Sequence, residues 1–401
     1  MQPHSPLTLT TDCCIVGGGP AGLMLGYLLA RAGVRVTVLE KHADFLRDFR
    51  GDTIHPSTLE IMHHLGLLEE LLQQPHQRAE KLQAEVGGQE VTMADFSRLP
   101  VRCRFIAFMP QWDFLNFLAA KSATLPGFTL LQSTAFDDFI YADGTVCGVK
   151  ALQNHQPLEI RARLVIGADG RHSRVREKAG LKGQSFGSPR DVLWFRLSKQ
   201  SGDPEWGMGH KGPKQNFIMI DRGEFWQCGY SIQKGEYDAV KAAGLDALKQ
   251  QIATVAPFPT ARLAEVDSWD QLKLLVIRID RLDKWMKPGV LCIGDAAHAM
   301  SPIGGVGVNL AIQDAVATAN YLTQPLLKGD VTLNDLAKVQ KRRHFPTCAT
   351  QFLQIKMSRK KSTQPRKSGM PGVIRRLPFL RFVFGRIIGL GFRPERPRDF
   401  R

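Results

Sequence analysis

Gly17, Gly19 and Gly22 stand at Gly-x-Gly-x-x-Gly spacing, between the apolar run Cys13-Cys14-Ile15-Val16 and an apolar stretch at residues 23–32. Each glycine has a physical reason in a turn that carries a strand into a helix around a pyrophosphate. The first permits the tight turn, the second lets backbone approach the phosphates, and the third lets helix and strand pack closely. Pro20 and Ala21 complete the turn. The helix N-terminus offers free N–H groups and the positive end of its dipole to the phosphates. Residues 34–39 alternate as a second strand that ends in Glu40, where an acid can accept hydrogen bonds from a ribose diol. Strand, glycine turn, helix, strand and terminal Glu together predict dinucleotide binding. A tight turn without a ligand would make Glu40 a coincidence.

Two later motifs decide which dinucleotide. Ala168-Asp169-Gly170, with Ser173 and Arg176 at fixed offsets, follows the buried strand Leu164-Val165-Ile166. Gly294-Asp295-Ala296-Ala297-His298, then Pro302 and Gly304-Gly305-Val306-Gly307-Val308-Asn309, follows the apolar run Val290-Leu291-Cys292-Ile293 and leads into a helix expected from Leu310. An Asp at a strand end can accept from a ribityl hydroxyl. A glycine loop opening a helix can bring N–H groups to the pyrimidine edge of a flavin, where negative charge accumulates on reduction.

With these three motifs in order across residues 12–314, the chain resembles the single-component FAD-dependent aromatic hydroxylases typified by para-hydroxybenzoate hydroxylase. The resemblance implies an α/β fold: a Rossmann-type FAD-binding domain, an inserted antiparallel β-sheet substrate domain and a C-terminal helical segment. It implies that Asp295 contacts the ribityl chain, and that Pro302, Gly305, Gly307, Val308 and Asn309 cradle the isoalloxazine. Asp169 is implied to serve both FAD and nicotinamide. Lys41 beside Glu40, Arg50 after the acidic strand and Gln111 at the start of a helix are implied to lie near FAD, although Trp112 and Asp113 depart from the basic residue often found there. His298 is expected to be structural rather than catalytic.

The implied activity is that of an NAD(P)H-dependent monooxygenase, which hydroxylates an aromatic or other electron-rich small molecule through a flavin hydroperoxide. The cofactor supplies that chemistry, so neither a nucleophile triad nor a metal site is expected. No catalytic residue is assigned. His55 either lines the cavity or faces solvent at a helix start. A single glycine fingerprint leaves no second nucleotide domain, so NAD(P)H visits and departs. Lys41, His42, Arg47 and Arg50 form a positive cluster that favours the 2′-phosphate of NADPH over NADH. Two alternatives are a flavin-dependent reductase of an isoprenoid or other lipophilic substrate, and a non-catalytic FAD-binding protein.

Around these motifs, the sequence divides into a discontinuous FAD-binding part (residues 10–75, 109–186 and 283–328), a substrate part (76–108 and 187–282) and a C-terminal basic segment (329–401). Residues 52–72 read as a helix with Ser57 and Glu60 spaced as a capping box, and residues 112–122 as another. Residues 187–282 alternate as aromatic-rich strands. Trp226, Cys228 and Tyr230 fall on one face, Phe225 and Gln227 on the other, and one face could floor the flavin, although plain core is the commoner fate.

With 401 residues, 43% hydrophobic and 23% charged, the chain reads as globular. Seven scattered cysteines without a Cys-x-x-Cys pair, no signal peptide and no apolar run of membrane-spanning length lead to an expectation of a reduced, cytoplasmic setting. Residues 341–401 carry seventeen Lys and Arg against two acids, which is the whole of the chain's +15. The body is therefore neutral, which argues against a nucleic-acid enzyme. Residues 373–392 interleave Arg375, Arg376, Arg381 and Arg386 with Ile374, Leu377, Leu380, Phe384, Ile387 and Ile388. Much of that apolar set recurs at helical spacing, with Pro378 as a kink or a start. The stripe either packs on the body, the preferred reading, or lies at an anionic membrane as a peripheral contact at its inner face. Beyond that contact the expected partners are small molecules, with the chain a monomer or homodimer.

Overall fold

Cys13–Val16 is the buried end of a longer strand, Leu7–Val16, whose outer half is exposed. The computed structural model describes residues 7–46, 52–86, 89–203, 209–211, 216–358 and 377–400. Leu7–Val16 is parallel to Gln156–Gly167 on one side and to Val36–Leu39 on the other. Val36–Leu39 is parallel to Phe128–Leu131, and Gln156–Gly167 is parallel to Val290–Cys292. Strands buried on both faces read as unbroken apolar runs, as Val290–Cys292 does, whereas Val36–Leu39 is buried throughout although Thr37 and the residues before it alternate with its apolar positions. Two antiparallel strands, Thr134–Ala142 and Thr145–Gln153, extend this sheet beside Gln156–Gly167. The helices Pro20–Arg31 and Gly307–Lys328 pack against each other beside it.

The second sheet has seven strands in the order Lys273–Leu275, Arg190–Ser198, Phe225–Gln233, Asn216–Asp221, Gly209–Lys211, Lys81–Val86, Gln89–Asp95. All its pairings are antiparallel except that of Gly209–Lys211 with Lys81–Val86. Trp226, Cys228 and Tyr230 point into a core that includes Leu248 and Ile252 of the helix Leu245–Ala253. They are plain core and not a floor over the flavin. Gln227 points the other way.

Three local expectations change. The helix expected over residues 52–72 is Pro56–His64 followed by the short Leu68–Leu71. Gly66, at φ +74°, ends the first where a left-handed residue is needed. Its N-cap is His55 with Pro56 at the first helical position, so Ser57 lies inside the turn and forms no capping box. The helix expected from Leu310 begins at Gly307, which places the glycine loop's end inside its first turn. Last, the tail folds as the helix Leu333–Ser358 on Gly307–Lys328, and as a separate helix, Leu380–Gly389, that begins just after Pro378. Ile374, Arg375 and Arg376 lie outside the described residues.

Candidate FAD site and the residues around it

Because Val290–Cys292, Gln156–Gly167, Leu7–Val16 and Val36–Leu39 run parallel as neighbours, all four end at one edge. A crevice beyond the carboxyl ends of parallel strands is where open α/β sheets bind ligands. The three motifs meet there. A Cβ on Gly17, at φ +112°, would lie 2.4 Å from the Ala168 carbonyl oxygen, so the fingerprint turn touches the Asp-Gly motif through bare backbone. Arg171 Nη2 stands 3.7 Å from Asp295 Oδ2, which joins the Asp-Gly and Gly-Asp motifs. A Cβ on Gly294 would meet Ala21 at 3.4 Å.

The glycines separate into two kinds. Gly22 is required by the protein, since a Cβ there would sit 1.9 Å from the Gly17 carbonyl oxygen. Gly19 has an ordinary φ of −77° and nothing within 4 Å of a Cβ. No contact among the described residues demands glycine at 19, and its place at the N-terminus of Pro20–Arg31 fits a pyrophosphate that backbone must approach closely. Gly19→Ala should leave the melting temperature of flavin-free protein within a degree or two and weaken FAD binding by about tenfold or more, roughly 1.4 kcal/mol. Titration of the flavin-free protein with FAD checks this, and unchanged affinity would remove the pyrophosphate from Gly19.

Glu40 is buried and oriented by two backbone donors, Gly18 N–H to Oε2 at 3.1 Å and His42 N–H to Oε1 at 3.0 Å. A carboxylate has acceptor capacity beyond two bonds, enough for a diol. Lys41 beside it is exposed, and Arg47 and Arg50 lie outside the described residues.

Asp169 is largely committed within its own motif. Ser173 Oγ donates to its Oδ1 at 2.5 Å and Val175 N–H to its Oδ2 at 3.1 Å, at the start of the short helix Arg174–Lys178. Burial raises its carboxyl pKa, and these hydrogen bonds partly offset the rise. Ser173 caps that helix by accepting from Arg176 N–H, and Arg176 pairs with Asp280 at 3.3 Å. Asp280 in turn accepts from Ala299 N–H, so the motif's arginine helps to hold the loop after Asp295.

That loop is braced from behind. Gln354 Nε2 donates to the carbonyls of Ser301 and Ile303, while Thr53 Oγ1 donates to Gly305 O at 3.0 Å. Pro302 is exposed, and Gly304 and Gly305 have φ of +79° and +64°. Gly307, Val308 and Asn309 open the helix Gly307–Lys328, so their N–H groups precede the first i−4 partner, which Leu310 N–H finds in Val306 O. The Asn309 side chain is used structurally. Its Oδ1 accepts from His55 N–H and Thr58 Oγ1, and its Nδ2 donates to Thr53 O. What Asn309 offers a flavin is its backbone.

His55 does not face solvent. Its ring is fully buried with Nδ1 2.8 Å from Ile388 O, and burial lowers its pKa to about 4. A neutral ring donates there and tethers the C-terminal helix. His298 is also internal, its Nε2 2.6 Å from Asp314 Oδ2. Asp314 accepts from Gly294 N–H at 3.1 Å and pairs with Arg343, which reaches Glu395 at 3.4 Å. Burial alone would raise the Asp314 carboxyl, but His298 and Arg343 outweigh it and hold the carboxyl below the usual range.

Sequence reasoning missed Asp52 and Arg222, and gave Gln227 only a strand face. Gln111 N–H donates to Asp52 Oδ1 at 3.2 Å, and Asp52 Oδ2 pairs with Arg222, both side chains only 7% exposed. Gln227 Oε1 accepts from Arg222 Nε and Nη2 at 2.9 and 2.7 Å. The pairing locks the second sheet onto the segment that follows residue 51, beside the helix that Gln111 opens. Strand alternation put Gln227 on the face opposite Trp226, Cys228 and Tyr230, but nothing in the sequence links Asp52 to Arg222.

Comparison with known proteins shows the family and the fold. A family model described as an FAD binding domain matches residues 10–352. The 6-methylpretetramide 4-monooxygenase of Streptomyces rimosus is 31% identical over 351 residues, covering 87% of this chain and 84% of that one. The rifampicin monooxygenase of Streptomyces venezuelae is 29% identical over 310 residues, 76% of this chain and 62% of that longer one. The crystal structure of p-nitrophenol 4-monooxygenase from Pseudomonas putida superposes with a TM-score of 0.76 at 20% identity, over 94% of this chain and 98% of that one, a likeness of fold.

Proposed function

The chain belongs to the FAD-binding family of flavoprotein monooxygenases, and from that membership we propose the roles of its own residues and its reductant. It is an FAD-dependent monooxygenase, an oxidoreductase of the aromatic-hydroxylase type. The observation that carries the site is the convergence of the three motifs at one edge of the parallel sheet.

Gly17, Gly19, Pro20, Ala21 and Gly22 would hold the pyrophosphate, and Glu40 would take the ribose diol, with Lys41 next to it in the sequence. Asp295 accepts from the ribityl chain, with Asp169 orienting the adjoining turn and helix. The N–H groups at Gly307, Val308 and Asn309, which open the helix, would serve the pyrimidine edge of a bound flavin, where a helix N-terminus stabilises negative charge. Gln111 lies close to the same site, positioned by Asp52. When bound, FAD supplies redox and oxygen chemistry that no side chain offers, and the protein supplies positioning and exclusion of water. The substrate part is the seven-stranded sheet, on the face that carries Gln227.

The substrate is an electron-rich aromatic or related small molecule, in keeping with the 6-methylpretetramide and p-nitrophenol named for the relatives. NADPH is the favoured reductant, because Lys41, His42, Arg47 and Arg50 concentrate positive charge after Glu40. The ratio of kcat/KM for NADPH over NADH should exceed one, and a preference for NADH would contradict the assignment. Peripheral contact of the basic C-terminal segment with anionic membrane belongs to the same reading; no helix among the described residues is long and apolar enough to cross a bilayer.

A further inference from the structure

The C-terminal helix Leu380–Gly389 has two faces with different fates. Its inner face is consumed by the body. A Cβ on Gly385 would lie 2.0 Å from the Asp95 carbonyl oxygen, and one on Gly389 2.9 Å from Leu99, so backbone docks directly on the strand Gln89–Asp95 and the turn after it. Phe384 and Ile388 join the core of Phe96, Leu99 and Ile106, and Ile388 O holds His55. As a clasp the helix needs no more than this.

Its outer face is nonetheless apolar. Phe379 is 58% exposed, Val383 45% and Leu377 45%, with Arg386 exposed among them. Positions 379, 383 and 386 follow one another at helical spacing. Arg98 and Arg381 lie over the Phe382 ring at 4.1 and 4.8 Å, which sets two more guanidinium groups at the same surface. Phe345, Phe352 and Met357 are exposed upstream. Thus residues 341–401, which hold the chain's entire excess of positive charge, also hold six of the fourteen large exposed hydrophobic side chains among the described residues. Aqueous solvent rewards the charge but not the apolar residues, and a nucleic-acid backbone likewise has no use for an aliphatic stripe. An anionic lipid surface takes both: apolar side chains enter the acyl boundary while Lys and Arg are attracted to the headgroups.

We infer that the outward face of Leu380–Gly389, with Leu377 and Phe379 at its entry, seats the enzyme on an anionic phospholipid bilayer. The partner is identified by its chemistry, negative headgroups over an apolar interior. The inference deepens the monooxygenase reading, since an enzyme on a bilayer can draw a lipophilic aromatic substrate from it.

The test uses full-length holoenzyme and sedimentation with vesicles of phosphatidylglycerol and phosphatidylcholine, against phosphatidylcholine alone, at low and high salt. Anionic vesicles should bind the enzyme at least tenfold more tightly than neutral ones, with the advantage falling in high salt. The exposed double variant Phe379→Ser/Val383→Ser should lose at least tenfold in vesicle affinity while keeping its FAD content and its rate of NADPH oxidation. Absence of binding to anionic vesicles, equal binding by the double variant, or preference for duplex DNA over vesicles would overturn the inference. Those results leave flavin content and NADPH oxidation untouched, whereas loss of both in the unaltered protein would instead contradict the monooxygenase reading.

Discussion

Asp314→Ala should destabilise the protein by about 3–5 kcal/mol in denaturant unfolding, the usual cost of removing one member of a buried ion network. The Asp314 carboxylate is fully buried between His298 and Arg343, and Arg343 is itself almost wholly buried. Among the described residues, the guanidinium without Asp314 keeps only Glu395 as an ion-pair partner, at 3.4 Å. The same carboxylate accepts from Gly294 N–H, so its loss also frees the turn that presents Asp295. Stability and flavin content should therefore fall together. The folded carboxyl lies below its ordinary range, so its contribution is complete above the unfolded pKa of about 3.9 and is lost as pH falls through the lower folded value. Variant and parent should converge only in strong acid. A loss under 1 kcal/mol at neutral pH would show that the network is not a keystone.

Asp295→Ala should act in the opposite way, on ligand and not on fold. Its side chain is partly exposed, with Arg171 at 3.7 Å, a pairing of small worth to stability. A hydrogen bond from a ribityl hydroxyl to a charged acceptor contributes about 1.5–3 kcal/mol, which is roughly ten- to a hundredfold in affinity. The variant should purify largely colourless, melt like flavin-free parent and show little NADPH oxidation until FAD is added in excess. Asp295→Asn should recover part of the affinity. Full yellow occupancy in the alanine variant, with unchanged affinity, would remove Asp295 from the site.

The contrast between these two aspartates shows what was legible in the sequence. Asp295 follows a strand and precedes a glycine loop, and that local context pointed to a ligand. The three glycine motifs were readable for the same reason: Gly17 and Gly22 answer to contacts a few residues wide or to one neighbouring strand. Asp314 lies mid-helix, and its worth comes from His298 and from Arg343 and Glu395 on later segments, partners no local pattern predicts. Asp52 and Arg222 were hidden likewise. Asn309, expected in the glycine loop, lies in the first turn of the helix Gly307–Lys328, and its side chain serves the chain segment from Thr53 to Thr58. His55 had two open readings, cavity or solvent, and its ring instead holds the C-terminal helix.

The tail shows a subtler limit. Helical periodicity marked an apolar stripe, but periodicity weights large side chains and overlooks glycine. The docked face is the one where Gly385 and Gly389 let backbone approach, and Leu377, part of the expected stripe, stays outside. A pattern of hydrophobic residues tells which positions avoid water, whereas close approach is set by which positions have no side chain.

The central claim is that this chain uses bound FAD to place one atom of dioxygen on an electron-rich aromatic molecule. The direct measurement is mass spectrometry of products formed under labelled dioxygen, with NADPH and a panel of phenolic and polycyclic aromatic compounds. At least one compound should stimulate NADPH oxidation and gain a single hydroxyl whose oxygen comes from the labelled gas. A product that carries oxygen from water, or NADPH oxidation coupled to reduction of a double bond with no oxygen gained, would contradict the account.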